Sequence, residues 1–171
     1  MSLGEQIYSF FTPTVTSIGI GSSKKIGEQV KVLGGTRALI VTDKIIAATG
    51  ISNQVKTRVE EAGVKVFIFD GAEPNPTDIK AHDGLRVFQK NQCDMIISLG
   101  GVNSHDCAKD ICIVASNGGI RDSEGIDKSG KSIPPFVSIN TTAGTDSEMT
   151  PFCIISGNPL YYRGDSRWYC I

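Results

Sequence analysis

Four short, continuously apolar runs constrain the fold of this chain more than any other feature of its sequence. They cover residues 37–42, 65–69, 95–99 and 136–140. Strands that are covered on both faces have this continuous hydrophobicity, whereas strands with one solvated face alternate apolar with polar residues. The four runs therefore predict strands of a parallel sheet that is buried on both sides.

Segments with helical spacing lie between the first three runs and after the third. Each carries apolar side chains three or four residues apart, as the buried face of a helix requires. The stripes are Ile51, Val55, Val59 and Ala62; Ala81, Leu85 and Phe88; and Ala108, Ile111, Cys112 and Ala115. Ser52 and Thr77 are the predicted caps of the first two helices, and the third is predicted to begin near Ser104. Alternating strands and helices predict an α/β fold with a doubly wound, mostly parallel, Rossmann-like sheet.

The two ends of the chain and the long connection before the fourth run show weaker patterns. Residues 15–21 are predicted to form an additional strand, followed by a helix over residues 24–33. Residues 117–135 are rich in Gly, Ser, Asp and Lys and end in two prolines, which indicates a surface connection. The apolar periodicity ends after Ile155, so we predict one domain over residues 1–155 and an irregular tail over residues 156–171.

The composition argues against several classes of partner. The 171 residues carry a net charge of −1 with interleaved acidic and basic side chains, so we expect no nucleic-acid partner. No apolar run approaches the ~20 residues of a membrane-spanning helix, and no secretion signal is recognisable. Five cysteines without metal-binding spacing indicate free thiols in a reducing compartment, hence a cytoplasmic protein. Cys107 and Cys112 are predicted to pack as small apolar side chains on one helix.

Chemistry is expected where the strands end, because parallel sheets bind ligands beyond the carboxyl ends of their strands. Gly100 and Gly101 precede the third helix and allow a sharp turn beside free backbone N–H groups, which favours a phosphate. An ordinary strand-to-helix turn explains the same pattern. Asp43, after the first run, either accepts the hydroxyls of an adenosine ribose or caps a helix that begins at Lys44.

The other two strand ends carry less specific signals. In the sequence Pro-Asn-Pro-Thr at 74–77, Asn75 either offers its amide to a ligand or belongs to a loop that precedes a helix cap. The sequence Thr-Thr-Ala-Gly-Thr at 141–145 combines hydroxyl groups with a flexible Gly. It suits a pyrophosphate and equally suits an ordinary polar turn.

Together these segments resemble the iron-containing, or group III, NAD-dependent alcohol dehydrogenases. The family signature Gly-Gly-Gly-Ser-x-x-Asp-x-Ala-Lys is matched at residues 100–109, except that Val102 and Asn103 replace the third Gly and the Ser. Four further stretches are similar to the ethanol- and propanediol-oxidising members. They are VTDK at 41–44, DGAEPNPT at 70–77, EGIDKS at 124–129 and INTTAGTDSEMTPFCII at 139–155.

The resemblance implies a nucleotide-binding domain that contacts NAD. The implied cofactor-binding residues are Asp43, Asn75, Gly100, Gly101, Val102, Asn103, Thr141, Thr142, Thr145 and Thr150. The implied reaction is NAD-linked oxidation of primary alcohols, or reduction of aldehydes, with a divalent metal that polarises the alcohol oxygen. The family's metal is usually iron and sometimes zinc, and its members form homo-oligomers.

The resemblance also indicates that the metal ligands of the family are not expected in this chain. The family's metal ligands, one Asp and three His, belong to an all-helical C-terminal domain that we do not expect here. Only His82 and His105 are present, and we expect both to face solvent or to cap helices, so we assign no metal ligand and no catalytic residue. We therefore expect a truncated alcohol dehydrogenase that alone is a weak dinucleotide-binding domain. The alternatives are a non-enzymatic nucleotide-binding or interaction module, and a glycerol or polyol dehydrogenase of the same superfamily.

Departures from the family pattern bear on the cofactor site. If position 102 needs a positive φ, the β-branched Val102 costs about 1–3 kcal/mol there. Asp146 replaces the family's usual Ala and is expected to bring negative charge near a negative cofactor. Pro151 stands where Arg is frequent, and the tail after Ile155 does not match the family pattern. A premature or frame-shifted end is the hypothesis that these departures suggest.

Overall fold

The computed structural model describes residues 14–75, 77–118, 131–144, 146–150, 152–155, 158–161 and 168–170. The strands are β1 (Thr14–Thr16), β2 (Arg37–Val41), β3 (Lys65–Phe69), β4 (Met95–Gly100), β5 (Phe136–Asn140), β6 (Phe152–Ile155), β7 (Asn158–Tyr161) and β8 (Trp168–Cys170). The helices are α1 (Ile26–Leu33), α2 (Lys44–Ala48), α3 (Ile51–Glu61), α4 (Asp78–Lys90) and α5 (Val102–Asn117). A 3-10 turn at Ser22–Lys25 leads into α1.

Six of these strands form one sheet in the order β1-β8-β5-β4-β2-β3, and all of its pairings are parallel. The chain proceeds outwards from β2 to β3, then returns to place β4 and β5 on the other side of β2. This reversal opens a crevice at the carboxyl ends of β2 and β4, where doubly wound sheets bind ligands. The predicted parallel, doubly wound sheet is confirmed.

Helices cover both faces of the sheet, so the described residues form two apolar cores. Val59 of α3 packs in one core with Ile97 of β4, and Ile111 of α5 packs in the other with Ile96. Neighbouring residues of one strand point into different cores because successive side chains of a pleated strand face opposite sides. This arrangement explains why the central strands lack alternating polar residues. Each fully buried Ile or Val contributes about 1.5–3 kcal/mol through the hydrophobic effect.

The beginnings of several elements differ from the sequence predictions. The first strand ends at Thr16 and does not reach residue 21, because Gly19 and Gly21 adopt positive φ angles of 149° and 81° and turn the chain. Helix α5 begins at Val102 with Gly101 as its N-cap, so Ser104 lies inside the helix and does not cap it. Ser52 likewise lies inside α3, whose N-cap is Gly50.

The tail that we expected to be irregular contains two strands. β7 pairs with β6 in an antiparallel hairpin, and β8 is inserted between β1 and β5, parallel to both. Aromatic residues favour strands, and β8 pairs with the edge of β5 that would otherwise be open. The sequence did not reveal these strands because three or four residues are too few to show a period.

The connection predicted at 117–135 falls largely on residues 119–130, which lie outside the described residues, and so does the EGIDKS stretch at 124–129. Helix α5 extends to Asn117, and residues 131–135 lead directly into β5. Across the described parts of the chain, no helix is both long enough and apolar enough to cross a membrane.

Candidate functional site

A cavity of about 530 Å³ lies where β2, β3, β4 and β5 end. This volume lies within the range of about 300–1,000 Å³ that is typical of ligand pockets. The loops after these strands supply most of its wall, which consists of Asp43, Lys44, Ile45, Ile46, Asp70, Ala72, Glu73, Pro74, Gly101, Val102, Asn103, Thr141 and Thr142. The structure thus brings together six of the ten residues that the resemblance implied.

The turn between β4 and α5 has no room for side chains at its two glycines. Gly100 adopts a φ of 148°, and a Cβ atom there would clash with Ser104 Oγ. A Cβ atom on Gly101 would lie 2.6 Å from Thr142 Oγ1. Gly101 therefore allows the loop that carries Thr142 to pack directly on the turn, while Gly100 leaves room for Ser104 of α5.

The N-terminus of α5 presents unpaired donors beside the cavity. No side chain caps this 16-residue helix, so its first N–H groups and the positive end of its dipole remain available. Val102 and Asn103, the first two residues of the helix, line the cavity. The hydroxyl of Ser104 is 1% exposed and has no hydrogen-bond partner in the described part of the chain. These donors suit an anionic ligand such as a phosphate.

Val102 adopts a helical backbone, so the strain that we considered at this position is absent. Among the described residues other than glycine, only Asn75, Gln92 and Asp146 have positive φ angles. The positive φ of the turn belongs to Gly100 instead. Val102 therefore affects the site through volume, because its partly buried side chain occupies cavity space that a glycine would leave open.

Asp43 combines the two roles that the sequence left open. Its Oδ1 accepts a hydrogen bond of 2.9 Å from the N–H of Ile46, so it is the N-cap of α2. Its Oδ2 lies towards the β4–α5 turn, 3.6 Å from where a Cβ atom on Gly100 would stand. Because one oxygen caps the helix and the other faces the cavity, capping does not prevent contact with a ligand.

Of the other four implied cofactor contacts, Gly100 forms the turn before α5, two more lie outside the cavity wall, and the fourth is not among the described residues. Asn75 adjoins the cavity with a φ of 54°, and its N–H donates to Asn103 Oδ1 over 3.4 Å. Thr150 does not line the cavity, and its Oγ1 accepts a hydrogen bond of 3.5 Å from Lys109 Nζ. Thr145 lies outside the described residues.

The sequence analysis did not identify the part of the wall that comes from α2 and the loop after β3. Ile45 of α2 lines the cavity and is 80% exposed, and no sequence pattern distinguishes it from an isoleucine that is buried in a helix. Asp70 directly follows β3, and Glu73 forms an ion pair of 2.9 Å with Lys80. This end of the cavity therefore carries three carboxylates, with Lys44 on the same wall and Lys80 paired with Glu73.

One turn further along α5 lies a buried polar cluster to which the sequence analysis gave no role. Lys109 is 1% exposed, and its Nζ donates to the main-chain oxygen of Ser147 and, over 3.0 Å, to its Oγ. Ser147 Oγ in turn donates to Asp106 Oδ1 over 2.6 Å. Burial lowers the pKa of Lys109 to about 8, although the nearby Asp106 raises it.

The expectation that both histidines face solvent or cap helices is wrong for His105. Its side chain is 1% exposed, and its Nδ1 lies 2.7 Å from Ser98 Oγ on β4. Burial, followed by the charge of Lys109, lowers the pKa of His105 to about 4, so the imidazole is neutral at pH 7. Because Ser98 lies on β4, the residue pattern of α5 alone could not reveal this contact. His82 is exposed, as expected.

The cysteines of α5 are buried, as predicted. Burial raises the pKa of Cys107 to about 12 and the pKa of Cys112 further, so neither thiol is ionised at pH 7. Next to them, Asp110 is fully buried, and neither of its oxygens has a hydrogen-bond partner among the described residues. Burial, with a smaller contribution from Asp78, raises the pKa of Asp110 to about 7.

The residues described here do not fit a metal ion. No three His, Cys, Asp or Glu side chains of this part of the chain lie close enough together to share one. Of the two histidines in the sequence, His82 is exposed on α4 and His105 is buried against β4. We therefore assign no metal ligand and derive no metal-assisted step.

Comparison with known proteins connects this geometry to a family. Residues 13–160 match the sequence profile of the family described as iron-containing alcohol dehydrogenase. The chain belongs to the iron-containing alcohol dehydrogenase family. The match extends beyond Ile155 to residue 160, so the family pattern continues into the tail for longer than we expected.

Relatives within the iron-containing alcohol dehydrogenases are longer than this chain. The NAD-dependent methanol dehydrogenase of Bacillus methanolicus is 44% identical over 149 residues, which are 86% of this chain and 39% of that protein. The 1,3-propanediol dehydrogenase of Citrobacter freundii is 42% identical over 154 residues, 88% of this chain and 40% of that protein. The chain thus spans about 40% of the length of these relatives.

Solved structures share the fold of this family member. A crystal structure of a 1,3-propanediol oxidoreductase has a TM-score of 0.89 and 36% sequence identity, over 96% of this chain and 45% of that chain. The alcohol dehydrogenase from Oenococcus oeni has a TM-score of 0.86 and 31% identity, over 96% and 46% of the two chains. The shared fold includes the sheet edge that carries the cavity.

Proposed function

We propose that the cavity at the carboxyl edge of the sheet binds NAD, and that this chain supplies the nucleotide-binding part of an alcohol dehydrogenase. The observation that carries the proposal is the position of the uncapped N-terminus of α5 between Asp43 and Thr142 on one cavity wall. A dinucleotide site needs both kinds of group, because the diphosphate requires hydrogen-bond donors while the hydroxyls of the adenosine ribose require an acceptor. Membership of the family supports NAD as the dinucleotide.

The diphosphate is assigned to the β4–α5 turn. The N–H groups of Val102 and Asn103 and the buried hydroxyl of Ser104 are its donors, with the helix dipole adding attraction for the negative charge. Gly101 allows the close approach, and Thr142 supplies a hydroxyl from the facing loop. NAD, once bound, supplies the hydride-accepting group, while these residues hold and orient it.

Asp43 is assigned to the adenosine ribose. Its carboxylate accepts hydrogen bonds from the ribose hydroxyls and repels the 2′-phosphate of NADP. Asp70, on the same wall, adds negative charge on that side, whereas the charge of Glu73 is balanced by Lys80. The site therefore favours NAD over NADP.

The reaction of the whole protein is proposed to be the oxidation of primary alcohols or the reduction of aldehydes with iron or zinc. Because the described residues do not fit the metal, the ligands must come from outside them. Assembly into a homo-oligomer and a cytoplasmic location belong to the same proposal. Buried, protonated thiols such as Cys107 and Cys112 are compatible with a reducing compartment.

The Asp43→Asn variant tests the assignment. Asn caps helices as well as Asp does, so α2 remains capped while the charge is removed. We expect the variant to bind NAD at least about tenfold more weakly, since hydrogen bonds to a charged acceptor contribute about 1.5–3 kcal/mol, and to lose its preference over NADP. Fluorescence titration with NADH and NADPH measures both effects. An unchanged preference for NADH would contradict the ribose assignment.

A further inference from the structure

Lys109 is among the largest fully buried side chains in the described part of the protein, and the proposed cofactor contacts do not use it. Burying an ammonium group costs several kcal/mol unless its partners compensate. Lysine is therefore almost never fully buried without a specific partner. The position of its partners indicates what the residue does.

The hydrogen bonds of Lys109 connect two separate parts of the chain. Lys109 lies in the second turn of α5, whereas Ser147 and Thr150, which accept its hydrogen bonds, belong to the segment after β5. Asp106, also on α5, lies 3.8 Å from Lys109 Nζ and accepts the hydroxyl hydrogen of Ser147. Lys109 and Asp106 of α5 thus hold the segment 146–150 against the helix through hydrogen bonds.

The segment 146–150 follows closely in the sequence after residues that line the cavity. Thr141 and Thr142 lie on the cavity, and the chain then reaches Asp146, whose carbonyl accepts hydrogen bonds from the N–H groups of Met149 and Thr150. This turn is rigid at its base because Ser147 is buried and bonded to Lys109. The loop that carries the two threonines is therefore held at both ends, by the hydrogen bond from the N–H of Thr141 to the carbonyl of Gly100 and by the bonds between Lys109 and Ser147.

We propose that Lys109 is a positioning residue for the nucleotide site. Through Ser147 and Thr150, and with Asp106, it keeps the loop after β5 against α5, so that Thr141 and Thr142 stay over the β4–α5 turn. Lys109 itself does not line the cavity. The inference rests on the proposed function, because NAD is the ligand whose affinity the loop governs.

The charges around the ammonium fit this role. Burial lowers the pKa of Lys109, while Asp106, Cys153 and Glu148 raise it, with a resulting value of about 8. His105, also on α5, is neutral at pH 7 and adds no positive charge. At pH 7 the side chain is therefore largely an ammonium with three hydrogens to donate, as its several acceptors require.

The test compares the full chain with its Lys109→Met and Ser147→Ala variants. Met has a similar length but donates no hydrogen bond, and Ala removes only the hydroxyl that joins Lys109 to Asp106. Lys90→Met, an exposed site on α4, is the matched control. The measurements are the NAD dissociation constant by calorimetry, the melting temperature, and the amide hydrogen exchange of residues 141–150 without ligand.

We expect both loop variants to bind NAD at least about tenfold more weakly, because small displacements of positioning groups have effects of this size. Amide exchange is expected to accelerate in the loop and not in β2 or β4. Exchange that accelerates equally across the sheet, or unchanged NAD affinity in both variants, would overturn the proposal. If the unsubstituted chain does not bind NAD, the proposed function fails, and loop exchange alone then decides the role of Lys109. Unchanged loop exchange would then overturn it.

Discussion

Asp110 shows, at the scale of one residue, what burial does to a carboxyl group without a partner. Its side chain is fully buried, neither oxygen has a hydrogen-bond partner among the described residues, and burial raises its pKa from 3.8 to about 7. The folded protein therefore holds this proton more tightly than the unfolded chain does. The stability from protonation is fully present below pH 3.8 and is lost as the pH rises through about 7.

The Asp110→Asn variant removes this dependence on pH. We expect it to raise the free energy of unfolding by roughly 2–4 kcal/mol at pH 8, where the native carboxyl must ionise, and much less at pH 4.5. Urea denaturation at the two pH values measures the difference. Glu61→Gln, at an exposed site on α3, is the control. An equal effect of Asp110→Asn at both pH values would show that ionisation of Asp110 is not responsible.

At the scale of the element, the sequence predicts best where a regular pattern repeats within one segment. The apolar stripe of α3 and the continuous run of β4 are long enough to show their periods, and both elements lie where predicted. The burial of His105 depends on Ser98 of a neighbouring strand, which no pattern within α5 reveals. The cavity was located by the rule that ligands bind at strand ends, while its α2 wall and the Lys109 contacts depend on tertiary packing.

Strand β8 gives a prediction at the same scale. Tyr169 is paired with Val15 of β1 on one side and with Val137 of β5 on the other. Proline removes the backbone N–H and so leaves a carbonyl of the neighbouring strand without its hydrogen bond, which costs about 1–3 kcal/mol when that group is buried. We expect Tyr169→Pro to lower the free energy of unfolding by at least that amount and Tyr169→Phe to have little effect. Similar denaturation midpoints for the two variants would contradict the pairing.

At the scale of the whole molecule, the exposed apolar side chains predict how the purified chain behaves. Ile18 is 94% exposed and Ile20, two residues further along the chain, is fully exposed, and neighbouring exposed apolar side chains promote association. We expect the chain to self-associate when it is produced alone, and Ile18→Ser with Ile20→Ser to reduce the association. Size-exclusion chromatography with light scattering measures the mass. A monodisperse monomer that melts cooperatively would contradict this expectation.

The proposed function requires that the cavity of this chain binds NAD, and we expect the volume of Val102 to weaken that binding. Calorimetric titration of NAD into the full chain and into its Val102→Gly variant measures both. Asp146→Asn is the control, because Asp146 is exposed, does not line the cavity, and has a φ of 55° that Asn tolerates. We expect weak binding to the unsubstituted chain, tighter binding after Val102→Gly, and no change after Asp146→Asn. Absence of NAD binding in all three proteins would contradict the proposed function.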